Sequence, residues 1–354
     1  MDKNEKKSFN LIAPFEKFCD KFRVPLWIVV IALLAVLPLF GVSRVAMRNL
    51  IMILLYSMLG MGLNVLLGYT GQVSLGHAGF YGIGAYTCAI LTTNYGWSFW
   101  TAAILGAVLA ALVGLLLGLP TLRLSGTYLT IVTLGFGEVV VMVLKQWESV
   151  TNGNYGIRDI PKPSLFGWEM NLSNGGFYWL ILGFTLLTVL VCYNIRNSKS
   201  GRAFLAIKGD ELAATMMGIR TTRYKILAFV VSAFITGLAG SFYSVINNGY
   251  IEPTNFVFNV SVTILSVVII GGMGTTRGMF FGAALLMMFP QIFRFLNQWR
   301  YVVYGLLLVL MMQFRPQGAL GWQSTLPYRL PTGTKKALEA RKAKHVEAQL
   351  PAQE

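Results

Sequence analysis

The sequence of 354 residues is too apolar for an ordinary soluble domain, because 55% of its residues are hydrophobic, 12% are charged and its mean hydropathy is +0.61. Its formal net charge of +15 could indicate a nucleic-acid-binding protein, but the basic residues are concentrated in a few polar segments between long apolar ones. Composition therefore predicts an all-α polytopic membrane protein with membrane lipid around it and no nucleic-acid partner.

The apolar residues form about ten stretches, most of them close to the ~20 residues that a helix needs to cross the hydrocarbon core. The transmembrane domain is predicted at 26–315, preceded by an arm at 1–25 and followed by a basic tail at 316–354. The stretch at 72–92 is rich in glycine, so a simple continuous span is not expected there. The predicted spans are 26–42, 50–68, 72–92, 99–119, 128–146, 177–195, 225–247, 258–274, 279–296 and 301–314.

The distribution of positive charge predicts which side of the membrane each polar segment faces. The arm, a central segment at 196–225 and the tail, counted from Arg315, hold 20 of the 29 Lys and Arg residues. With ten spans, these three regions share one side, and their excess of Lys and Arg is typical of the cytoplasmic side. Both termini are therefore predicted to be cytoplasmic.

A glycine-rich segment at 68–84 contains six glycines in seventeen residues. One interpretation is helix packing, because Gly76, Gly79 and nearby small residues let neighbouring helix backbones approach closely. In that case the segment needs no ligand to explain its composition.

The second interpretation of the glycine-rich segment is an interrupted span. The chain would be unwound from Gly68 to Ser74, and Ser74 would cap a half-helix that begins near Leu75. Gln72 and His77 would then lie along a substrate path, whereas in the first interpretation His77 is a satisfied hydrogen-bonding residue. Both interpretations remain open from the sequence.

Glu138 is the acidic residue that lies well inside a predicted span. A proton- or cation-driven carrier normally needs several ionisable groups within the membrane, and one carboxylate without a basic neighbour three or four residues away is weak support for such a relay. Glu138 is either an acid hydrogen-bonded between helices or part of a substrate path. If the chain moves a solute, the energy is expected to come from a partner.

The central segment at 196–225 carries seven basic residues against two acidic ones. Within it, Asp210 can cap the N–H groups of a new helix, Glu211 follows in the first turn, and Gly218 is a typical C-terminal stop. These signals predict a two-turn helix at 211–217. Because so short a helix is marginal in water, it is expected to pack against a soluble partner. Its apolar side chains are those of Leu212, Ala213, Met216 and Met217.

A second glycine-rich turn lies at 270–278, and it leads into another apolar stretch that starts at Met279. Gly271 and Gly272 belong to this turn. Corresponding interruptions in the two parts of a chain are typical of duplicated architecture, so two loosely similar halves are predicted.

Four motifs carry a resemblance to a known family. Together they resemble the permease subunits of bacterial branched-chain amino acid ABC importers, and among these the LivM type. The resemblance covers roughly 45–320, and the arm and the basic tail lie outside the shared pattern. The motifs are GYTGQVSLGHAGFYGIGAY (68–86), GTYLTIVTLGFGEV (126–139), SKSGRAFLAIKGDELAATMMGI (198–219) and IIGGMGTTRGMFFGAAL (269–285).

The resemblance implies a subunit of an importer that moves leucine, isoleucine and valine across the bacterial inner membrane. It implies four partners: a second, LivH-like permease, two cytoplasmic ABC ATPases, and a periplasmic or lipid-anchored substrate-binding protein. ATP and Mg would bind to the ATPases, because this chain has no Walker A pattern. The chain itself is therefore expected to be neither an enzyme nor a cofactor-binding subunit.

Three alternatives stay open. Related permeases carry urea, short amides or other amino acids, so the substrate is less certain than the kind of machine. A proton-coupled secondary carrier would use Glu138 and would lose uptake in the presence of an uncoupler. A non-transporting scaffold could bind a signalling protein through its basic segment, although a scaffold has no use for an interrupted span.

The resemblance maps the ATPase contact of this family onto Gly201–Ile219. We predict that this contact involves Arg202, Asp210, Glu211, Leu212, Ala213, Met216, Met217 and Gly218. The candidate substrate path consists of Gln72, Ser74, Gly76, His77, Gly79, Glu138, Gly271 and Gly272. No metal site is predicted.

Overall fold

The computed structural model describes residues 38, 43–121, 126–165, 168–170, 175–246, 249–292, 299–314 and 318–319. The predictions for the arm and for the first span, Pro38 apart, lie outside the described residues. The same holds for the tail, apart from residues 318 and 319.

The described residues form a helical bundle whose one sheet is an antiparallel pair of two-residue strands, Ser164–Leu165 and Trp168–Glu169. A π-helical turn at Asn64–Tyr69 continues α1, and 3₁₀ turns lie at Gly153–Tyr155 and Pro253–Phe256. The α-helices are α1 (Arg44–Leu63), α2 (His77–Thr93), α3 (Phe99–Thr121), α4 (Thr127–Gln146), α5 (Glu148–Thr151), α6 (Gly176–Asn197), α7 (Lys199–Gly209), α8 (Glu211–Met216), α9 (Thr221–Ile246), α10 (Phe258–Gly271), α11 (Thr276–Ile292) and α12 (Arg300–Phe314).

Six helical segments in the described part of the chain are long and apolar enough to cross a membrane. The remaining apolar helices are shorter: α2 and α11 have 17 residues each, and the apolar part of α12 is Val302–Phe314. The fold is therefore that of an all-helical, multi-pass membrane protein, as predicted. The six segments are Arg44–Tyr69, Phe99–Leu119, Thr127–Gln146, Gly176–Asn197, Thr221–Ile246 and Pro253–Gly271.

Helix α9 lies at the centre of the bundle, where it packs against α1, α2 and α3. The contacts with α2 are so close that a side chain could not fit between the backbones. A Cβ atom added to Gly84 would lie 2.0 Å from the carbonyl oxygen of Gly237, and one added to Gly240 would lie 2.1 Å from that of Tyr81. Small residues thus allow the tight helix packing that is typical of membrane bundles.

Contacts between loops define the two ends of the bundle. At one end, here called the hairpin end, the loop after α4 meets the loop after α9 through paired backbone hydrogen bonds between Ile157 and Ile251, at 2.9 and 3.0 Å. At the opposite end, here called the α7–α8 end, α7 contacts the π-helical turn that continues α1, and α8 packs against α7 and the start of α9. The predicted glycine-rich and basic segments therefore share one end of the molecule.

Candidate coupling site and interrupted span

The predicted interruption between α1 and α2 exists, but it is displaced along the chain. The chain is helical through Tyr69, so the prediction that it unwinds at Gly68 is wrong. Thr70 is also helical, so the non-helical segment is Gly71–Gly76, and α2 begins at His77 rather than near Leu75. The π-helical turn accounts for the shift, since it winds the end of α1 more widely instead of ending it.

Ser74 does not cap α2 as predicted, because Gly76 occupies the capping position and no side chain accepts a hydrogen bond there. Instead, the hydroxyl of Ser74 accepts a hydrogen bond from the Gly76 N–H at 3.4 Å and lies 3.3 Å from Nδ1 of His77. Nε2 of His77 lies 2.7 Å from Oγ of Ser232, which itself donates to the carbonyl oxygen of Gly62 at 2.6 Å. The Ser232 hydroxyl therefore accepts from Nε2–H, and Nδ1 accepts from Ser74.

His77 is 1% exposed, and both of its ring nitrogens are engaged in this chain of hydrogen bonds. This is the arrangement of a satisfied buried residue that ties the start of α2 to α9 and α1. A substrate could reach His77 only after the hydrogen bonds had been broken.

The backbone groups freed by the interruption are also satisfied within the chain. The N–H of Leu75 donates to Oγ1 of Thr133 on α4 at 3.1 Å, and the N–H of Ala78 donates to Oγ of Ser261 on α10 at 3.0 Å. Buried non-helical backbone is tolerated when protein groups satisfy it in this way. The N-terminus of α2 is thus occupied by side chains of this chain.

Close packing explains the glycines at the start of α2. A Cβ atom on Gly76 would lie 2.5 Å from the carbonyl oxygen of Thr133, and one on Gly79 would lie 3.1 Å from Cε1 of Phe136. Both glycines therefore face α4 without room for a side chain, which agrees with the packing interpretation. Their place in a substrate path stays a prediction.

The second glycine-rich segment forms a tight turn between α10 and α11. Gly272 has φ +115°, which an L side chain rarely adopts, and a Cβ atom on Gly271 would lie 2.2 Å from the carbonyl oxygen of Gly278. The turn contacts the first glycine-rich region, because the Gly274 N–H donates to Oδ1 of buried Asn64 at 2.7 Å. The two interruptions that the sequence predicts independently are thus neighbours in space.

Helix α8 has the caps that the sequence predicts. Oδ1 of Asp210 accepts a hydrogen bond from the Ala213 N–H at 3.0 Å, and the helix ends at Met216, with Gly218 following at φ +82°. Glu211 in the first turn forms an ion pair with Lys225 at the start of α9. The short helix is therefore held in place at its beginning and closed by a glycine at its end.

The outward side of α8 is apolar. Leu212 is 68% exposed, Met216 is 78% exposed and Met217 is 84% exposed, whereas Ala214 is buried. Arg202 lies exposed on neighbouring α7, whose Phe204 and Ile207 are buried. Three large apolar side chains at the α7–α8 end have no packing role among the described residues of this chain, which is typical of a docking surface.

Lys208 links the two predicted regions, a role that is not apparent from the sequence. Its Nζ donates a hydrogen bond to the carbonyl oxygen of Gly68 at 2.8 Å, near the end of the π-helical turn. Partial burial lowers the pKa of the Lys208 ammonium. Because 140 residues separate Lys208 from Gly68, no local sequence pattern identifies the contact. In the sequence, Lys208 is one of the seven basic residues of the central segment.

A cavity of about 180 Å³ lies between the interruption and the basic segment. It brings together Gln72 from the predicted substrate path and Glu211 from the predicted coupling helix. The cavity is lined by Thr70, Gly71, Gln72, Gly126, Leu129, Ile207, Lys208, Glu211 and Lys225. Movement of α8 would therefore change the shape of this cavity, which lies beside the non-helical segment between α1 and α2.

Glu138 does not join the other residues of the predicted path. It is exposed, whereas the buried face of α4 carries Thr133, Gly137 and Val141. None of the hydrogen bonds or ion pairs identified among the described residues involves Glu138. Whether Glu138 is hydrogen-bonded between helices or belongs to a substrate path therefore stays a prediction.

The fold and the site define a multi-pass helical membrane protein that presents an exposed apolar short helix beside the non-helical segment between α1 and α2. The family described as "Branched-chain amino acid transport system / permease component" matches residues 45–312. This chain belongs to that family. No solved structure matches the chain.

Several relatives belong to bacterial amino acid transport systems. The high-affinity branched-chain amino acid transport system permease protein LivM of Salmonella typhimurium is 38% identical over 83% of this chain and 74% of its own length, and LivM of Escherichia coli has the same figures. The permease protein LivH of Escherichia coli is 26% identical over 75% of this chain and 91% of its own length. Both permeases named for one transport system are thus similar to this chain.

Proposed function

We propose that this chain translocates branched-chain amino acids across the bacterial inner membrane as a permease subunit of an ATP-driven importer. Support comes from the similarity to LivM, which covers most of both chains and carries that substrate class in its name. Spans with few charged residues suit a small apolar amino acid. Urea, short amides and other amino acids are alternative substrates of the same machine.

The proposed topology has ten crossings, with both termini in the cytoplasm. Residues 68–72, 126–129 and 207–225 meet at one end of the bundle, and residues 157–160 and 249–251 meet at the other. These contacts support successive helices that cross the membrane in alternating directions. The predicted span at 26–42 would add the tenth crossing. The positive residues of the central segment then mark the α7–α8 end as cytoplasmic.

The proposed partners follow from the same family. The similarity to both LivM and LivH supports a pair of different permeases in one complex. Two cytoplasmic ATPases would bind ATP and Mg and hydrolyse ATP, and a periplasmic or lipid-anchored binding protein would deliver the substrate. This chain would then supply only the membrane path and the coupling contact.

The observation that carries the coupling proposal is the exposed apolar side of α8. An ATPase groove that holds Leu212, Met216 and Met217 would cover surface that is otherwise in contact with water. When ATP closes the ATPase pair, the groove would move α8 along with it. The Glu211–Lys225 ion pair and the Lys208–Gly68 hydrogen bond connect α8 and the adjacent α7 to the start of α9 and the end of α1.

Alternating access would follow from this connection. A shift of α7 and α8 pulls on the carbonyl group of Gly68 and changes the cavity beside Gln72. The two permeases would then move about their common interface and open the path to the cytoplasm. No ionisable relay inside the spans is needed, because the energy enters by contact.

The test is the double variant Leu212→Asp/Met216→Asp in the reconstituted complex. We expect membrane insertion to be unchanged and substrate uptake to fall at least about tenfold, because two carboxylates would have to be buried in an apolar groove. ATP hydrolysis should no longer respond to the loaded binding protein. Uptake and binding-protein-stimulated ATPase activity are measured in the same vesicles.

The matched control is Thr222→Asp, which adds a carboxylate at an exposed position of the same end, beyond α8. This variant should transport normally. Normal uptake in the double variant would contradict the docking role. An uncoupler of the proton gradient should leave uptake unchanged, and collapse of uptake would instead favour a proton-coupled carrier.

A further inference from the structure

The outer face of α4 differs from the other exposed faces of the bundle. Its exposed residues recur every three or four positions over most of the helix, as one stripe of a helix does. This stripe, here called the Glu138 face, consists of Tyr128, Ile131, Val132, Gly135, Glu138, Val139 and Met142. The opposite side of α4 packs against α2 and the interruption before it.

Glu138 makes this face unsuitable for contact with lipid. It lies near the middle of the twenty-residue helix α4 and is exposed. A carboxylate in contact with hydrocarbon at that depth is costly, so acids within spans normally face protein or water. None of the identified hydrogen bonds or ion pairs among the described residues involves Glu138, so its partner is expected from outside the described part of this chain.

Gly135, one turn before Glu138, gives a second reason to expect a neighbour. A Cβ atom added there would meet no atom within 4 Å, and its backbone is helical. Glycine inside a helix is less stable than alanine, and nothing in the part of the chain that the structure describes requires it at this position. A closely approaching helix from another subunit would require it.

Helix α3 shows what a lipid-facing side of the same bundle looks like. Apart from Thr101, its exposed side chains are aliphatic, and its glycines point inward, as Gly106 does toward Gly84 and Gly114 toward Ala233. Outward glycines also occur at Gly183 and Gly305. Among the described spans, α4 combines such a glycine with a charged side chain near mid-helix.

We propose that the Glu138 face packs against a helix of the second permease subunit, with Gly135 at the closest approach and the Glu138 carboxylate bound by a donor of that subunit. Because the face runs along a membrane-crossing helix, a soluble ATPase or binding protein cannot cover it. At its N-terminal end the face borders the cavity beside α7 and α8, where Gly126 and Leu129 are lining residues. The inference rests on the proposed function, since it requires a second permease.

The experiment uses the complete complex, expressed with an affinity tag on this chain, and measures the amount of second permease captured with it. Gly135→Leu should reduce the captured amount by about tenfold, because the added side chain fills the space that the neighbouring helix needs. Gly183→Leu is the matched control, since Gly183 is equally open but lies on α6. This control should capture the normal amount.

The outcomes separate the two proposals. If the unaltered chain captures no second permease, the proposed function fails. If the unaltered chain and Gly135→Leu capture equal amounts, the inference alone is overturned. Capture of a differently tagged copy of this chain, lost in Gly135→Leu, would also overturn it in favour of self-association.

Glu138→Leu gives an independent readout. If the position faces lipid, leucine should leave capture unchanged or raise the yield of inserted protein, because it removes a charge from hydrocarbon. If the position faces the second permease, leucine should reduce capture, and Glu138→Gln, which can still form hydrogen bonds, should reduce it less. Equal capture by all three chains would contradict the proposal.

Discussion

The interruption at Gly71–Gly76 and the short helix α8 lie at the same end of the molecule, yet they are stabilised in opposite ways. At the interruption, several polar groups and glycines are accounted for by contacts inside the chain, such as Leu75 with Thr133 and His77 with Ser232. On α8, large apolar side chains are left exposed. The first region is therefore held mainly by contacts within the chain, whereas the second is proposed to bind a partner. Substitutions in the first should affect folding, and substitutions in the second should affect coupling.

Gly76→Ala should have the largest effect on stability. Its Cβ atom would lie 2.5 Å from the backbone carbonyl oxygen of Thr133, which cannot move without shifting α4. We expect a loss of about 1–3 kcal/mol in the free energy of unfolding, as for other overpacked sites. The measurement is an unfolding titration in detergent. Gly183→Ala, with no atom within 4 Å of the new Cβ, should be neutral or slightly stabilising, and equal losses in the two variants would contradict the packing role.

Asp210→Ala should affect coupling and not global stability. The side chain that caps α8 is lost, which costs about 1 kcal/mol of local helix stability, and α8 contributes one buried residue, Ala214, to the fold. We expect substrate uptake per ATP hydrolysed to fall about fivefold, which corresponds to that free energy, with unchanged unfolding. Asp210→Asn keeps a capping oxygen and should transport almost normally. A similar defect in both variants would show that charge matters and the cap does not.

Lys208→Met should have the smallest effect among these variants, and the effect should be on substrate uptake per ATP hydrolysed. It removes the hydrogen bond to the Gly68 carbonyl oxygen but keeps the apolar stem that packs beside Gly71. Because the ammonium is partly in water, we expect uptake per ATP hydrolysed to fall only about twofold. Lys199→Met, at an exposed position of the same helix, serves as the control. If the Lys199 variant is as defective as the Lys208 variant, the loss reflects the net charge of α7 and not the contact.

Local signals in the sequence are sufficient to predict where α8 begins and ends. Its start and end depend on residues within the helix or next to it, so Asp210 and Gly218 determine them almost completely. The helical membrane fold was predictable for a similar reason, since hydropathy is summed over neighbouring residues.

Contacts between distant parts of the chain were not predictable in the same way. The hydrogen bonds from Lys208 to Gly68 and from Gly274 to Asn64 join residues far apart in sequence, and neither side chain has a local pattern that distinguishes it. The start of α2 was misplaced because the residues that satisfy the interruption, Thr133 and Ser261, belong to other helices. The exposure of Glu138 depends on how α4 is rotated, which its apolar composition does not determine.

The contact between Asn64 and Gly274 has a mechanical consequence. It joins an early and a late part of the chain at the α7–α8 end, while the backbone pair of Ile157 and Ile251 joins them again at the hairpin end. A cleft could open between these parts only if the hydrogen bonds at one of the two ends broke. A force applied to α8 would therefore tilt the whole subunit as a rigid body more readily than it would deform it.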